Sequence, residues 1–174
     1  GTPRLIQQPV RELRRLRADS VSLGTRPVAP GTTSLGPAGV SGRTLEIAAE
    51  LEPGDAETVG LVVREGDTER TVVGYDAAGD SVFVDRRRSG AADFHEDFAA
   101  RHAAPLAARN GRVKLHVFVD RSSIEVFAND GARVLTHRIF PAPDSDGVSL
   151  VAEGGTARLV HLDAWTLRSI WTER

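Results

Sequence analysis

Leu45-Glu46-Ile47-Ala48-Ala49-Glu50-Leu51-Glu52 carries the pattern that decides the fold, because Leu45, Ile47, Ala49 and Leu51 alternate with Glu46, Ala48, Glu50 and Glu52. A period of two puts the first set on one face of an extended chain and the second on the other, so the segment reads as a strand with one buried and one wet face. Pro53-Gly54-Asp55 ends it. The same period recurs downstream. Val59-Leu61-Val63 and Thr71-Val73-Tyr75 flank Arg64-Glu65-Gly66-Asp67, whose turn chemistry predicts a hairpin. Asp76 to Asp80 makes another turn before Val82-Phe83-Val84. Further strands are expected over 113–119, 124–127, 133–140, 148–152, 157–162 and 165–170, with breaks at Asn129-Asp130-Gly131, Pro141-Ala142-Pro143 and Glu153-Gly154-Gly155. About nine or ten short strands at near-regular spacing read as an all-β sandwich or barrel.

Upstream of the alternating region the period is different. In Gln8-Pro9-Val10-Arg11-Glu12-Leu13-Arg14-Arg15-Leu16-Arg17 the apolar Val10, Leu13 and Leu16 recur every third position, which predicts a short N-terminal helix opened by Pro9. Thr25 to Gly42 is dense in Pro, Gly, Ser and Thr and reads as an irregular connector. Residues 94–110, rich in Ala and Arg, are the other place for a helical turn, with Pro105 interrupting it.

The chain of 174 residues is long enough for one domain with a sizeable core, and 40% apolar with 26% charged residues excludes disorder. It has no apolar run of transmembrane length. It contains no Cys, which removes disulfides, thiolate metal sites and cysteine nucleophiles together. It also lacks Met and begins at Gly1, a hint of a piece cut from a longer protein. Of 22 cations only Lys114 is Lys, a bias of codon usage more than of chemistry. The net charge of −2 is spread along the chain, so neither nucleic acid nor an anionic membrane is an expected partner. The local exceptions, Arg11 to Arg17 and Arg86-Arg87-Arg88, read as a solvated helix face and a loop. No signal peptide is visible.

Residue types capable of chemistry are present without a convincing arrangement. Asp120 and Glu125 flank Arg121-Ser122-Ser123 and can approach each other across a hairpin, the pairing a glycosidase needs, but such spacing is common. His95-Glu96-Asp97 with His102 offers metal-ligand types in an expected loop, where polar side chains turned to solvent are the plainer reading, and no metal or cofactor is assigned. Ser122 and Ser123 lack a nucleophile elbow, and His116, His137 and His161 fall on strands where an outward imidazole is the usual case. No phosphate loop is present. Sugar stacking needs exposed rings, for which Tyr75, Trp165 and Trp171 are the weak candidates. Val82-Phe83-Val84-Asp85-Arg86 is repeated letter for letter at Val117-Phe118-Val119-Asp120-Arg121. We read the echo as two buried strands, each ending in an Asp that caps a turn and an Arg that satisfies a carboxylate or carbonyls.

The run Leu115-His116-Val117-Phe118-Val119-Asp120-Arg121-Ser122-Ser123-Ile124-Glu125-Val126-Phe127-Ala128-Asn129-Asp130-Gly131 resembles the C-terminal module of glycoside hydrolase family 32, the levanase, inulinase and invertase group. So do Gln7-Gln8-Pro9-Val10-Arg11-Glu12-Leu13, Tyr75-Asp76 with Val84-Asp85-Arg86 and Ser89-Gly90, Thr136-His137-Arg138-Ile139-Phe140-Pro141, and Trp165 to Trp171. The resemblance implies a two-sheet antiparallel β-sandwich of lectin-like, jelly-roll type, joined to a five-bladed β-propeller that cleaves β-fructosyl bonds. The family's catalytic segments, of W-M-N-D-P-N-G, E-C-P and R-D-P type, are absent, so no catalytic residue is carried over. Asp85, Arg86, Asp120, Arg121, Ser123 and Glu125 are expected to be structural, shaping strand ends and a hairpin. Residues 1–24 are expected to lead out of the propeller and 25–174 to form the sandwich. The expected role is non-catalytic support of that propeller in a secreted, bacterial fructan- or sucrose-cleaving enzyme, the alternative being a fructan-binding lectin-like module.

Overall fold

The structure, a computed structural model, describes residues 5–170. Among the described residues there are thirteen strands: β1 (Arg17–Leu23), β2 (Arg26–Val28), β3 (Gly31–Ser34), β4 (Leu45–Glu52), β5 (Thr58–Glu65), β6 (Arg70–Asp76), β7 (Ser81–Arg88), β8 (Arg101–Pro105), β9 (Val113–Asp120), β10 (Ser123–Ala128), β11 (Arg133–Arg138), β12 (Gly147–Glu153) and β13 (Ala157–Leu167). They form two antiparallel sheets. The front sheet runs β1-β13-β4-β9-β10-β11, with β2 also on β13, and the back sheet runs β3-β12-β5-β6-β7-β8.

The alternation that predicts the strands also builds the core. Ile47, Leu51, Leu115, Val117, Ile124 and Leu162 point inward from the front sheet and meet Val59, Leu61, Val73, Val82, Val84 and Leu150 from the back, none more than 1% exposed. Each such side chain stabilises the fold by about 1.5–3 kcal/mol through removal of apolar area from water. The all-β sandwich expected from the sequence is therefore the observed architecture.

Several local expectations are corrected. The N-terminal helix is a 3-10 helix over Arg11–Leu16 with no buried residue. Its three-residue repeat fits that geometry, in which side chains three apart eclipse, better than an α-helix. Residues 17–23, assigned to the segment leading in, are β1, paired antiparallel with β13. The connector over 25–42 contains β2, β3 and a second 3-10 helix, Gly36–Ala38. Residues 94–110 hold no helix but the edge strand β8. The two closing strands are one, β13, with a register irregularity between Leu159 and His161.

Candidate functional site

Residues 5–16 lie across the outer face of the front sheet as a strap. At one end the Gln7 N–H donates to the Gly131 carbonyl at 3.2 Å, and at the other the Arg168 N–H donates to the Leu16 carbonyl at 2.8 Å. Between strap and sheet runs a groove of about 420 Å³, lined by Pro9, Leu13, Glu46, His116, Phe118 and Phe127 among others. The strap keeps Leu5, Ile6 and Val10 in solvent, 78%, 55% and 63% exposed.

Glu46 is the buried charge of this face. Its Oε2 accepts Arg17 Nε at 2.7 Å, its Oε1 accepts Arg17 Nη2 at 2.6 Å, and His116 Nε2 lies 2.7 Å from Oε1. Burial works to raise the carboxyl, but the hydrogen bonds and charges of Arg17 and His116 outweigh it and hold Glu46 down at about 2. The fork of Arg17 also lies 3.6 Å over the Trp165 ring.

That contact settles the place of Trp165. It is half-buried on the outer face of β13 beneath Arg17, so its ring face is already taken. Tyr75, also expected as a stacking ring, is instead in the core at 1% exposure. Its hydroxyl donates to Asp80 Oδ1 at 2.5 Å and accepts the Ala108 N–H at 3.1 Å, while burial and the Asp80 hydrogen bond push it up to about 12. Trp171 lies outside the described residues. The exposed rings are ones that sequence reasoning passed over: Phe94 and Phe140, which pack with buried Phe98 at centroid distances of 4.6–5.5 Å. Two Phe in an irregular loop and one beyond a strand end have no periodicity that would join them in advance.

Of the remaining candidates, Asp120, Arg121 and Ser123 border the β9–β10 turn, whereas Glu125 lies within β10 and Asp85 and Arg86 lie within β7, which continues to Arg88 where the sequence led us to expect a strand end. Asp85 accepts the Arg87 N–H at 3.0 Å and binds the Arg87 guanidinium. Burial raises the Asp85 carboxyl, but these bonds prevail and lower it. Arg86 donates to the Arg138 carbonyl at 3.2 Å and lies 4.1 Å over Phe98, while its buried Nε has no partner among the described residues. Asp120 accepts the Arg121 N–H at 2.7 Å, and Ser123 faces Asp120 in register. Asp120 and Glu125 share the outer face but are diagonal in register and exposed, without the apolar enclosure a general acid requires.

His116 and His161 point outward, as expected. His137 does not. It shares the inner side of β11 with Leu135 and stacks on His102 of β8 at 4.9 Å, closing the open edge between the sheets. His95 and Asp97 are exposed, and among the described residues no cluster of metal-ligating side chains is present.

Sequence reasoning also missed Arg64, which it gave to a turn. Arg64 ends the buried part of β5 at 2% exposure and φ +49°, donating to the carbonyls of Ser145 at 2.7 Å, Ala142 at 3.0 Å and Arg121 at 3.1 Å. One guanidinium thus ties the loop after β11 and the β9–β10 turn to the back sheet.

Comparison with known proteins gives one consistent answer. Residues 10–166 match the family described as "Glycosyl hydrolases family 32 C terminal". The chain is 44% identical over 175 residues to a levanase of Bacillus sp. (strain L7), covering 98% of this chain and 19% of that protein. It is 45% identical over 105 residues to an extracellular exo-inulinase of Aspergillus awamori, covering 60% of this chain and 20% of that protein. The crystal structure of exo-inulinase from Aspergillus awamori superposes with a TM-score of 0.84 at 34% identity, over 95% of this chain and 33% of that one. The chain therefore spans a fifth to a third of the length of these relatives.

Proposed function

We propose a supporting role without catalysis for this chain, which belongs to the C-terminal domain family of the family 32 glycosyl hydrolases. In this reading it is the sandwich module of a fructan- or sucrose-cleaving enzyme acting outside the cell. The outer face of its front sheet packs against the catalytic propeller of the same polypeptide, and the segment ahead of β1 brings the chain from one to the other. The observation that carries the reading is the strap. It leaves an unfilled groove against Phe118 and Phe127 and holds Leu5, Ile6 and Val10 in solvent, an apolar surface of the sort proteins cover.

Two measurements test this reading. The chain alone is expected to release no fructose from sucrose, inulin or levan, and measurable turnover would refute it. Placed in a chimera that substitutes it for the matching segment of the Bacillus sp. levanase, it is expected to restore the thermal inactivation half-life lost on deleting that segment. A chimera that inactivates as fast as the deletion would count against the docking role.

A further inference from the structure

An exposed aromatic patch stands at the edge of the sandwich where β8 of the back sheet meets β11 of the front sheet. Apart from the strap residues and Ile170, the last residue described, Phe94 and Phe140 are the exposed large apolar side chains among the described residues. Both rings lie on buried Phe98, Phe94 at 4.6 Å and Phe140 at 5.5 Å between centroids. The backbone holds this patch in shape. The Phe140 N–H donates to the Ser89 carbonyl and the Ala91 N–H to the Phe140 carbonyl, each at 3.1 Å. Gly90 between them has φ +92°, and a Cβ there would run into the Phe140 carbonyl oxygen, so glycine is what lets the loop close on the end of β11. Charge divides around the rings. The loop brings exposed Asp93, Glu96 and Asp97, whose only ionic neighbour among the described residues is His95, 3.9 Å from Asp97. β11 brings Arg138 and the adjoining β9–β10 turn brings Arg121, both exposed and neither facing a carboxylate among the described residues. Arg138 lies 5.3 Å over Phe140 and donates from Nε to the Ser122 carbonyl at 3.1 Å.

We propose that this patch is the contact between two copies of the chain, paired about a two-fold axis through the Phe cluster. In such a contact the same surface meets itself, so it has to be self-complementary. Rings near the axis meet rings, and the acidic loop of one copy comes to lie on the Arg138 side of the other. Both signs of charge flank the rings and neither is neutralised within the chain. A strongly charged foreign partner would be attracted by one flank and repelled by the other, whereas a second copy satisfies both. The strap leaves the patch free. Its anchor at Gly131 precedes β11 and Phe140 follows it, so the six residues of that strand, about 20 Å, separate the two. Two rings and a short loop make a small interface, for which association at about 10 µM is expected.

The test is sedimentation equilibrium of the 174-residue chain from about 1 to about 100 µM. The mass is expected to rise from 18.7 kDa towards twice that value. Phe94→Ser, at an exposed ring outside the core, is expected to weaken association about tenfold. Two charge variants identify what lies across the axis. Asp93→Lys, Glu96→Lys and Asp97→Lys together give one, and Arg121→Glu with Arg138→Glu gives the other. Each alone is expected to stay monomeric, because like charges then face each other. Mixed in equal amounts they are expected to form a dimer, since both flanks become complementary again. A chain that stays at 18.7 kDa throughout, a dimer indifferent to Phe94→Ser, or a mixture of the charge variants that remains monomeric would overturn the proposal. Circular dichroism checks that each variant folds. Should Arg138→Glu unfold through loss of its bond to Ser122, the concentration series and Phe94→Ser still decide. The result is independent of the docking role, which is read in the levanase chimera.

Discussion

Arg17 at the start of β1 grips both oxygens of Glu46 on β4, at 2.7 and 2.6 Å, although β13 lies between those strands. The guanidinium reaches across by lying on the ring of Trp165, the β13 residue that stands between them. One contact thus pins the edge strand, the neighbouring strap and the carboxylate that His116 also holds.

Glu46→Gln is expected to cost about 2 kcal/mol, since a buried carboxylate holding a bidentate guanidinium is replaced by a neutral amide with one acceptor oxygen. Urea denaturation with an unchanged m-value checks it. An unaltered midpoint would mean that solvent exposure of Arg17 has cancelled the pair.

The same carboxylate predicts an acid limb. Its value is about 2 in the fold against an ordinary 4.5, so the unfolded chain binds the proton first as pH falls. The stability it contributes is full above about 4.5 and is lost as pH drops towards about 2. Denaturation midpoints measured across that window are expected to fall less steeply in Glu46→Gln than in the parent chain.

His137 predicts a separate window. Burial, then the charges of His102 and Arg86, push its imidazole from 6.5 down to about 4. Because the unfolded state protonates first, stability declines as pH falls from about 6.5 and levels off near 4, the neutral ring being the form the fold accepts. Proton NMR of the His137 ring is expected to show a midpoint near 4, and His137→Phe flattens the decline.

Arg64→Met is expected to destabilise by about 3 kcal/mol, because three carbonyls lose their donor at once. Arg64→Lys is expected to recover little of this, since an ammonium cannot reproduce the planar fork. Hydrogen exchange should show faster opening of residues 141–146 in both variants. Protection equal to the parent would show that the loop is held by other contacts.

Gly131→Ala places a Cβ 1.8 Å from the Gln7 carbonyl oxygen at φ +84°. The expected result is release of the strap at a cost of about 1 kcal/mol in the turn, read as faster tryptic cleavage at Arg11, Arg14 and Arg15 with the core transition retained.

Legibility in the sequence followed burial. β4, β6 and β9 each bury a face, and their apolar alternation is plain, while β5 and β12 are buried on both faces along most of their length and announce themselves by apolar residues on each. β3 is exposed throughout and β8 nearly so, and β1 buries only Leu23, so none of the three has an apolar face to reveal it. They are strands because β12, β7 and β13 offer backbone partners. Of the candidate site residues, Asp120 caps its own strand end as its local sequence suggests, through a hydrogen bond one residue away, whereas Asp85 accepts the Arg87 N–H within β7, which runs on to Arg88. Tyr75 turns inward with Val73 on the alternating face of β6, its hydroxyl held by Asp80 of the following turn and by the Ala108 N–H, whereas His137 turns inward onto His102 of the other sheet.

By itself, then, the sequence determined the all-β character of the chain and most of the residues that face its core, because side-chain alternation is a local property written every second position. The tertiary structure alone decided the Arg17–Glu46 grip across β13, the three-carbonyl hold of Arg64 and the strap's groove. Those contacts join residues far apart in the chain, and only the order in which the strands pair brings them within reach.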